Sequence, residues 1–203
     1  MQLPTPAQHK HRFPLTFAMG VVLLVSMFTL SFSNDALAVK IGSARHHVID
    51  MVVIHSTGGP ICDSTSGRPV WVKAGTLREN IRNIEAHSKL GIHYMIDRDG
   101  IVQSSVPENQ LAHHVYKYSP QSIAIELIND GDGKAPFAAP QLDALVTLLR
   151  DIVHRREIKP AGIKRHSDLD HSRLSCDIKQ RRKVDPGSAF PYQLVLDRVF
   201  EQN

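Results

Sequence analysis

The chain of 203 residues reads as an α/β protein, a single domain with a central mixed β-sheet flanked by helices. Two observations predict this. Apolar, β-branched runs of strand length alternate with segments of 3.6-residue periodicity, and that interspersion builds a sheet with helices packed on it. One strand pair is joined by the tight turn Arg98-Asp99-Gly100, so the sheet contains an antiparallel hairpin as well as crossover connections. No internal repeat or extended low-complexity tract divides the chain, and its length suits one core.

The N-terminal segment stands apart. Lys10 and Arg12, flanked by His9 and His11, give a basic start, and Leu15–Phe32 is almost wholly apolar. Ala36-Leu37-Ala38 has the small–x–small form of a leader-peptidase site. The expectation is a signal peptide over residues 1–38, cleaved before Val39, and a functional domain over residues 39–203. An apolar run of this length also suits an uncleaved membrane anchor. No cysteine follows the run, which argues against a lipoprotein.

Within the domain, residues 39–46 are polar and read as an irregular lead-in. His47–Ser56 (HVIDMVVIHS) carries a β-branched run stopped by Thr57-Gly58-Gly59-Pro60, a buried strand that ends near His55. Residues 62–73 read as loop. Thr76 is placed to cap a helix over Leu77–Lys89, with Glu79 completing a capping box. Leu77, Ile81 and Ile84 form its stripe, and Gly91 ends it. His93–Asp97 and Ile101–Ser105 are the hairpin strands, and Asn109–Val115 reads as a short strand. Ser122–Ile128 (SIAIELI) alternates, with Ile123, Ile125 and Leu127 on one face and Ser122, Ala124 and Glu126 on the other. After a Gly/Pro-rich loop, Pro140 opens a long helix striped by Leu142, Leu145, Val146, Leu149, Ile152 and Val153. Ala161–Arg165 is a short strand delivering His166, and Tyr192–Phe200 is a last amphipathic helix.

The net charge of +4 falls by one without the leader, too weak and scattered for nucleic-acid binding. It is compatible with an anionic cell-wall polymer. Cys62 and Cys176 are the two cysteines, able to form one disulfide in an oxidising compartment or to remain separate buried thiols. Trp71 is expected to pack against the core, with stacking on a sugar as the alternative.

Arg165–Tyr192 is short of apolar runs and dense in groups that bind metals or move protons. Catalytic zinc takes three protein ligands and keeps a water in the fourth place. His55, His166 and Asp185 meet that demand. A carboxylate within a strand needs a partner or an aqueous cleft, which makes Glu126 a candidate general base. Lys183 lies two residues before Asp185, so in extended chain both project to one side, and its ammonium could stabilise an oxyanion. His93 and His113 could line the cleft or serve the core. Asp168 and His171 could orient a ligand imidazole, and His171 reads equally as solvated.

Five segments together carry a family resemblance. They are VVIHST (Val52–Thr57), IHYMIDRDGIVQ (Ile92–Gln103), SIAIELIND (Ser122–Asp130), His166-Ser167-Asp168 and RKVDPGSAFP (Arg182–Pro191). In this order they resemble the zinc-dependent N-acetylmuramoyl-L-alanine amidases of the type-2 amidase and peptidoglycan-recognition-protein superfamily, particularly the AmpD-like branch. The resemblance implies a peptidoglycan-recognition-protein-like fold with Zn2+ on His55, His166 and Asp185. It implies Glu126 and Lys183 as catalytic residues, and cleavage of the amide between N-acetylmuramic acid and L-alanine. Two departures stand out. Leu169–Arg181 is longer than the usual link, and Ile92 replaces a tyrosine found in some relatives, leaving proton transfer to Glu126. Some relatives use cysteine as third ligand, so Cys176 is an alternative to Asp185. Asp185 is preferred because it sits in the matched element.

The partners implied are peptidoglycan or muropeptides, with no nucleic acid, no membrane unless the leader is retained, and a monomeric state. Export to the periplasm is expected, with secretion or inner-membrane anchoring as alternatives. The competing function is a non-catalytic peptidoglycan-binding module with structural zinc, whose fourth ligand would be His171 or Cys176.

Overall fold

The computed structural model describes residues 43–87 and 89–201. The signal peptide or anchor expected over residues 1–38 lies outside them. In chain order the elements are β1 (Ser43–Ala44), β2 (Met51–Ser56), β3 (Gly59–Cys62), β4 (Pro69–Val72), α1 (Leu77–Ala86), β5 (Tyr94–Ile96) and β6 (Val102–Ser104). There follow β7 (Gln110–Leu111), β8 (Ser122–Leu127), α2 (Ala139–Arg156), β9 (Ile163–Arg165), α3 (His166–Leu169) and α4 (Tyr192–Phe200).

The central sheet has the order β6-β5-β8-β2-β9. β5, β8, β2 and β9 run parallel, and β6 pairs antiparallel with β5 at one edge. The sheet is therefore mixed, as its connections require. β2 has neighbours on both sides, and Val52, Val53 and Ile54 have no exposed surface. Burial on both faces explains why it reads as a continuous apolar run.

α2 and α4 cover one face, where Val52, Ile54, Ile123, Ile125, Leu145 and Leu149 share a core. On the other face α1 brings Ile81 against Ile92, Met95 and Ala124. Each fully buried Ile or Leu contributes about 1.5–3 kcal/mol, which pins the strand register. That register places His55 directly opposite Glu126. A slip of one residue in β8 would turn Glu126 toward the helix-covered core.

The Thr76–Glu79 capping box is present, with the Thr76 hydroxyl accepting from the Glu79 N–H and the Glu79 carboxylate accepting from the Thr76 N–H. α1 ends at Ala86, short of Gly91, because His87 already turns into extended backbone. Gln141, in the first turn of α2, is wholly buried and donates to the carbonyls of Ile96 and Ile128. It satisfies two strand-end acceptors that the apolar helix face could not. At the other end of α2, Arg155 and Arg156 donate to the Glu108 carboxylate, which also accepts from the Tyr94 hydroxyl.

Three expectations change. Residues 62–73 are not all loop, because β3 and β4 pair as an antiparallel hairpin. Its apolar side chains Ile61, Val70 and Val72 are exposed, so no in–out alternation marks it. Trp71 lies on β4 rather than in the core, 36% exposed, and its indole N–H donates to the Asp130 carbonyl at 2.7 Å. The lead-in is partly ordered, since β1 pairs with β7. Cys62 and Cys176 form a disulfide that ties the β3–β4 hairpin to the excursion between His166 and Asp185. The excursion folds on itself through a bridge between Arg173 and Arg181.

Candidate metal centre

Parallel strands bring their C-terminal ends to one edge of a sheet, where loops gather and ligands bind. β2 delivers His55 there, and β8 presents Glu126 beside it. β9 ends at Arg165 and the chain turns into α3, whose first residue is His166. Asp168 starts that turn by accepting from the Arg165 backbone N–H and guanidinium. Asp185 comes from the loop after the excursion, and its carbonyl accepts from the Ser167 N–H at 2.9 Å. Gly187 closes this loop at φ +90°, where a Cβ would lie 2.6 Å from the Gly131 carbonyl oxygen. Only glycine combines that backbone with that approach.

His55 Nδ1, His166 Nδ1 and Asp185 Oδ2 converge. The two nitrogens are 2.9 Å apart, His166 lies 2.9 Å from Asp185, and His55 lies 3.3 Å from it. All three residues are buried. Burial, with the charge of neighbouring His166, pulls His55 down to about 4. Burial alone would raise the Asp185 carboxyl, but the hydrogen bond with His166 and the closeness of the His166 and His55 rings outweigh it and hold Asp185 well below the usual carboxylate range. At neutral pH, His55 is thus uncharged and Asp185 ionised, the forms in which they bind metal. The donor set fits a zinc-sized ion, whose imidazole and carboxylate ligands lie about 2.0–2.2 Å from the metal.

Glu126 is half-buried beside this centre. Burial, reinforced by the Asp185 charge and partly offset by Lys183, pushes its carboxyl up to about 8. Glu126, Lys183, Arg182 and His113 line one open cleft of about 230 Å³ with the His-His-Asp cluster.

Other residues singled out in the sequence take different places. His113 is exposed at the cleft mouth. His93 is buried behind the site, where its Nδ1 accepts from the Ala124 N–H at 2.9 Å. Burial and the Arg45 charge lower it to about 4. Asp168 pairs with Arg165 instead of a ligand imidazole. His171 is exposed, 3.1 Å from the Arg181 guanidinium. Cys176 is consumed by the disulfide, which removes it as an alternative to Asp185.

Two residues near the ligands escaped the sequence reading. Asp170 Oδ2 stands 3.9 Å from His166 Nε2 and pairs with Arg182. His114, not its neighbour His113, reaches inward, with Nδ1 2.9 Å from His55 Nε2. A clue was available, because adjacent residues in extended chain point to opposite sides and one of the His113-His114 pair had to face in.

An α/β domain with a buried His-His-Asp cluster at the strand ends, open to a cleft and flanked by a glutamate and a lysine, defines a class suited to metal-assisted hydrolysis. The family model for N-acetylmuramoyl-L-alanine amidase matches residues 45–188, and the chain belongs to that family. It is 37% identical over 103 residues to N-acetylmuramoyl-L-alanine amidase AmiD of Escherichia coli K12, covering 43% of this chain and 34% of that protein. The solved structure of Escherichia coli AmiD with anhydro-N-acetylmuramic acid-L-Ala-D-gamma-Glu-L-Lys matches with a TM-score of 0.57 and 26% identity. That match covers 76% of this chain and 59% of AmiD, so the chain spans only part of this relative. The amidase LysC of Clostridium intestinale shares the fold at a TM-score of 0.54 and 18% identity, over 81% of this chain and all of LysC. A human peptidoglycan recognition protein shares it at 0.50 and 16%, over 76% of this chain and 85% of that one.

Proposed function

We propose that this domain hydrolyses the amide bond between N-acetylmuramic acid and L-alanine in peptidoglycan or its fragments, with Zn2+ on His55, His166 and Asp185. The observation that carries this is the convergence of the three ligand atoms beside Glu126, at an open cleft, in a chain of this family. When bound, the ion supplies Lewis-acid polarisation of the scissile carbonyl and lowers the pKa of water. Glu126 takes the proton of the attacking water and returns it to the leaving amine of L-alanine. Glu126 accepts as the carboxylate, the form that a nearby cation favours, and donates back as the acid. Lys183 stabilises the negative charge that develops on the carbonyl oxygen. The AmiD complex with an anhydro-muropeptide supports a ligand of that size for this cleft.

The competing module with structural zinc needs a fourth protein ligand. Cys176 is in a disulfide and His171 turns to Arg181, so neither supports it. We place the protein in the periplasm as a monomer. The leader pattern and the disulfide support export. Among the described residues no helix is long and apolar enough to cross a membrane.

The test is digestion of defined muropeptides and of intact sacculi by zinc-loaded protein, read by mass spectrometry. Release of peptides beginning with L-alanine is expected. Cleavage at another bond, or none with zinc in place, overturns the proposal. N-terminal sequencing of protein from the periplasmic fraction checks the leader, with Val39 expected first.

A further inference from the structure

We infer that His114 is a positioning residue that fixes the tautomer of His55, so that Nδ1 of His55 carries the free lone pair offered to the metal. The inference rests on the metal reading above and adds a device that acts through hydrogen-bond direction.

The direction can be read from a fixed end. The Tyr118 carbonyl can only accept, and the Ser122 hydroxyl lies 2.7 Å from it. Two oxygens at that distance need a proton between them, and the single hydroxyl proton of Ser122 supplies it. Ser122 Oγ is then left as an acceptor toward His114 Nε2, 3.0 Å away. His114 therefore carries its proton on Nε2, and its Nδ1 is a bare acceptor. That Nδ1 faces His55 Nε2 at 2.9 Å. His55 must donate from Nε2, which leaves its Nδ1 unprotonated and aimed at His166 Nδ1 and Asp185 Oδ2.

The opposite tautomer has a specific cost. If His55 held its proton on Nδ1, two bare nitrogens would face one another unless His114 also switched. That switch would require Ser122 to donate to His114 and leave two oxygens 2.7 Å apart with no proton between them. The hydrogen bonds run from Tyr118, in the turn before β8, through Ser122 at the start of β8 and then His114 to His55 near the end of β2. Backbone rigidity thus sets a proton position at the metal site. Outer partners of this kind orient the ligand and raise its basicity, and their loss typically weakens metal binding 10–100-fold.

Two measurements test this on the intact domain. Histidine-labelled, zinc-loaded protein is studied by long-range 15N–1H correlation. Protonation of His55 and of His114 at Nε2, with His55 Nδ1 metal-bound, is expected. A His114 protonated at Nδ1 overturns the inference. Separately, zinc affinity is measured by competition with a chromophoric chelator. His114→Phe keeps a ring but removes the acceptor and should bind zinc 10–100-fold more weakly. His114→Asn can place a carbonyl oxygen near the position of Nδ1 and should recover much of that loss, which a packing role would not predict. Affinity in His114→Phe within twofold of the unmodified protein overturns the inference. A protein that binds no zinc removes the metal reading itself, and this inference with it. Retained zinc with the reverse tautomer removes this inference alone.

Discussion

Replacing Glu126 by glutamine should stabilise the metal-free protein at alkaline pH while removing most turnover. The folded carboxyl sits at about 8, pushed up by burial and by Asp185, whereas an unfolded glutamate titrates near 4.5. Between these values the unfolded chain releases a proton that the folded one keeps. Stability contributed at this site is therefore full below about 4.5 and is lost as pH rises through 8. A shift of this size would be worth about 5 kcal/mol at high pH if the group were wholly desolvated. Glu126 is half-buried on an open cleft, and water there reduces the figure to about 1–3 kcal/mol. Urea unfolding of chelator-treated protein at pH 5 and pH 8.5 measures it. The variant should match the parent closely at pH 5 and exceed it by about 1–3 kcal/mol at pH 8.5. Zinc should narrow the gap, because a cation beside the carboxylate favours its charged form. An equal difference at both pH values would refute the electrostatic origin. Near-parental turnover in the zinc-loaded variant would refute the base assigned to Glu126.

Three further outcomes follow from the same structure. Lys183→Met should lower kcat by about 10²–10³ with zinc content unchanged, measured by steady-state kinetics and elemental analysis. Reducing the Cys62–Cys176 disulfide, which closes a sequence separation of 114, should cost about 2–4 kcal/mol, seen as a lower Tm in reductant. Burial opposes ionisation of Glu108, but hydrogen bonds from Arg155, Arg156 and Tyr94 prevail and hold it down to about 2. Glu108→Gln should lose about 1–2 kcal/mol at pH 7, and the deficit should shrink as pH falls from about 4.5 toward 2, where the parent protonates too.

Much of the fold was legible because its signals are local. The capping residues of α1, the stripe of α2 and the full extent of α4 follow from periodicity and termini, which depend on neighbours in the chain. The alternation of β8 put Glu126 on the correct face before any partner strand was known. The β3–β4 hairpin was missed because its exposed apolar residues have no inner and outer side to contrast. The burial of Gln141 has no local signal, because its acceptors are the carbonyls of Ile96 in β5 and of Ile128 just after β8.

For the site, the division is between residue identity and residue direction. Sequence alone marked His55, Glu126, His166, Lys183 and Asp185, from a carboxylate within a strand, the three-ligand demand of catalytic zinc, the two-residue spacing of Lys183 and Asp185, and the family resemblance. It named His113 and Asp168, whereas His114 reaches His55 and Asp170 stands nearer His166. It could not tell a paired Cys176 from a free one. Those choices depend on which side chains meet across separations of dozens of residues. Packing the strands in register settles that, and with it the order of the hydrogen bonds from Tyr118 to His55.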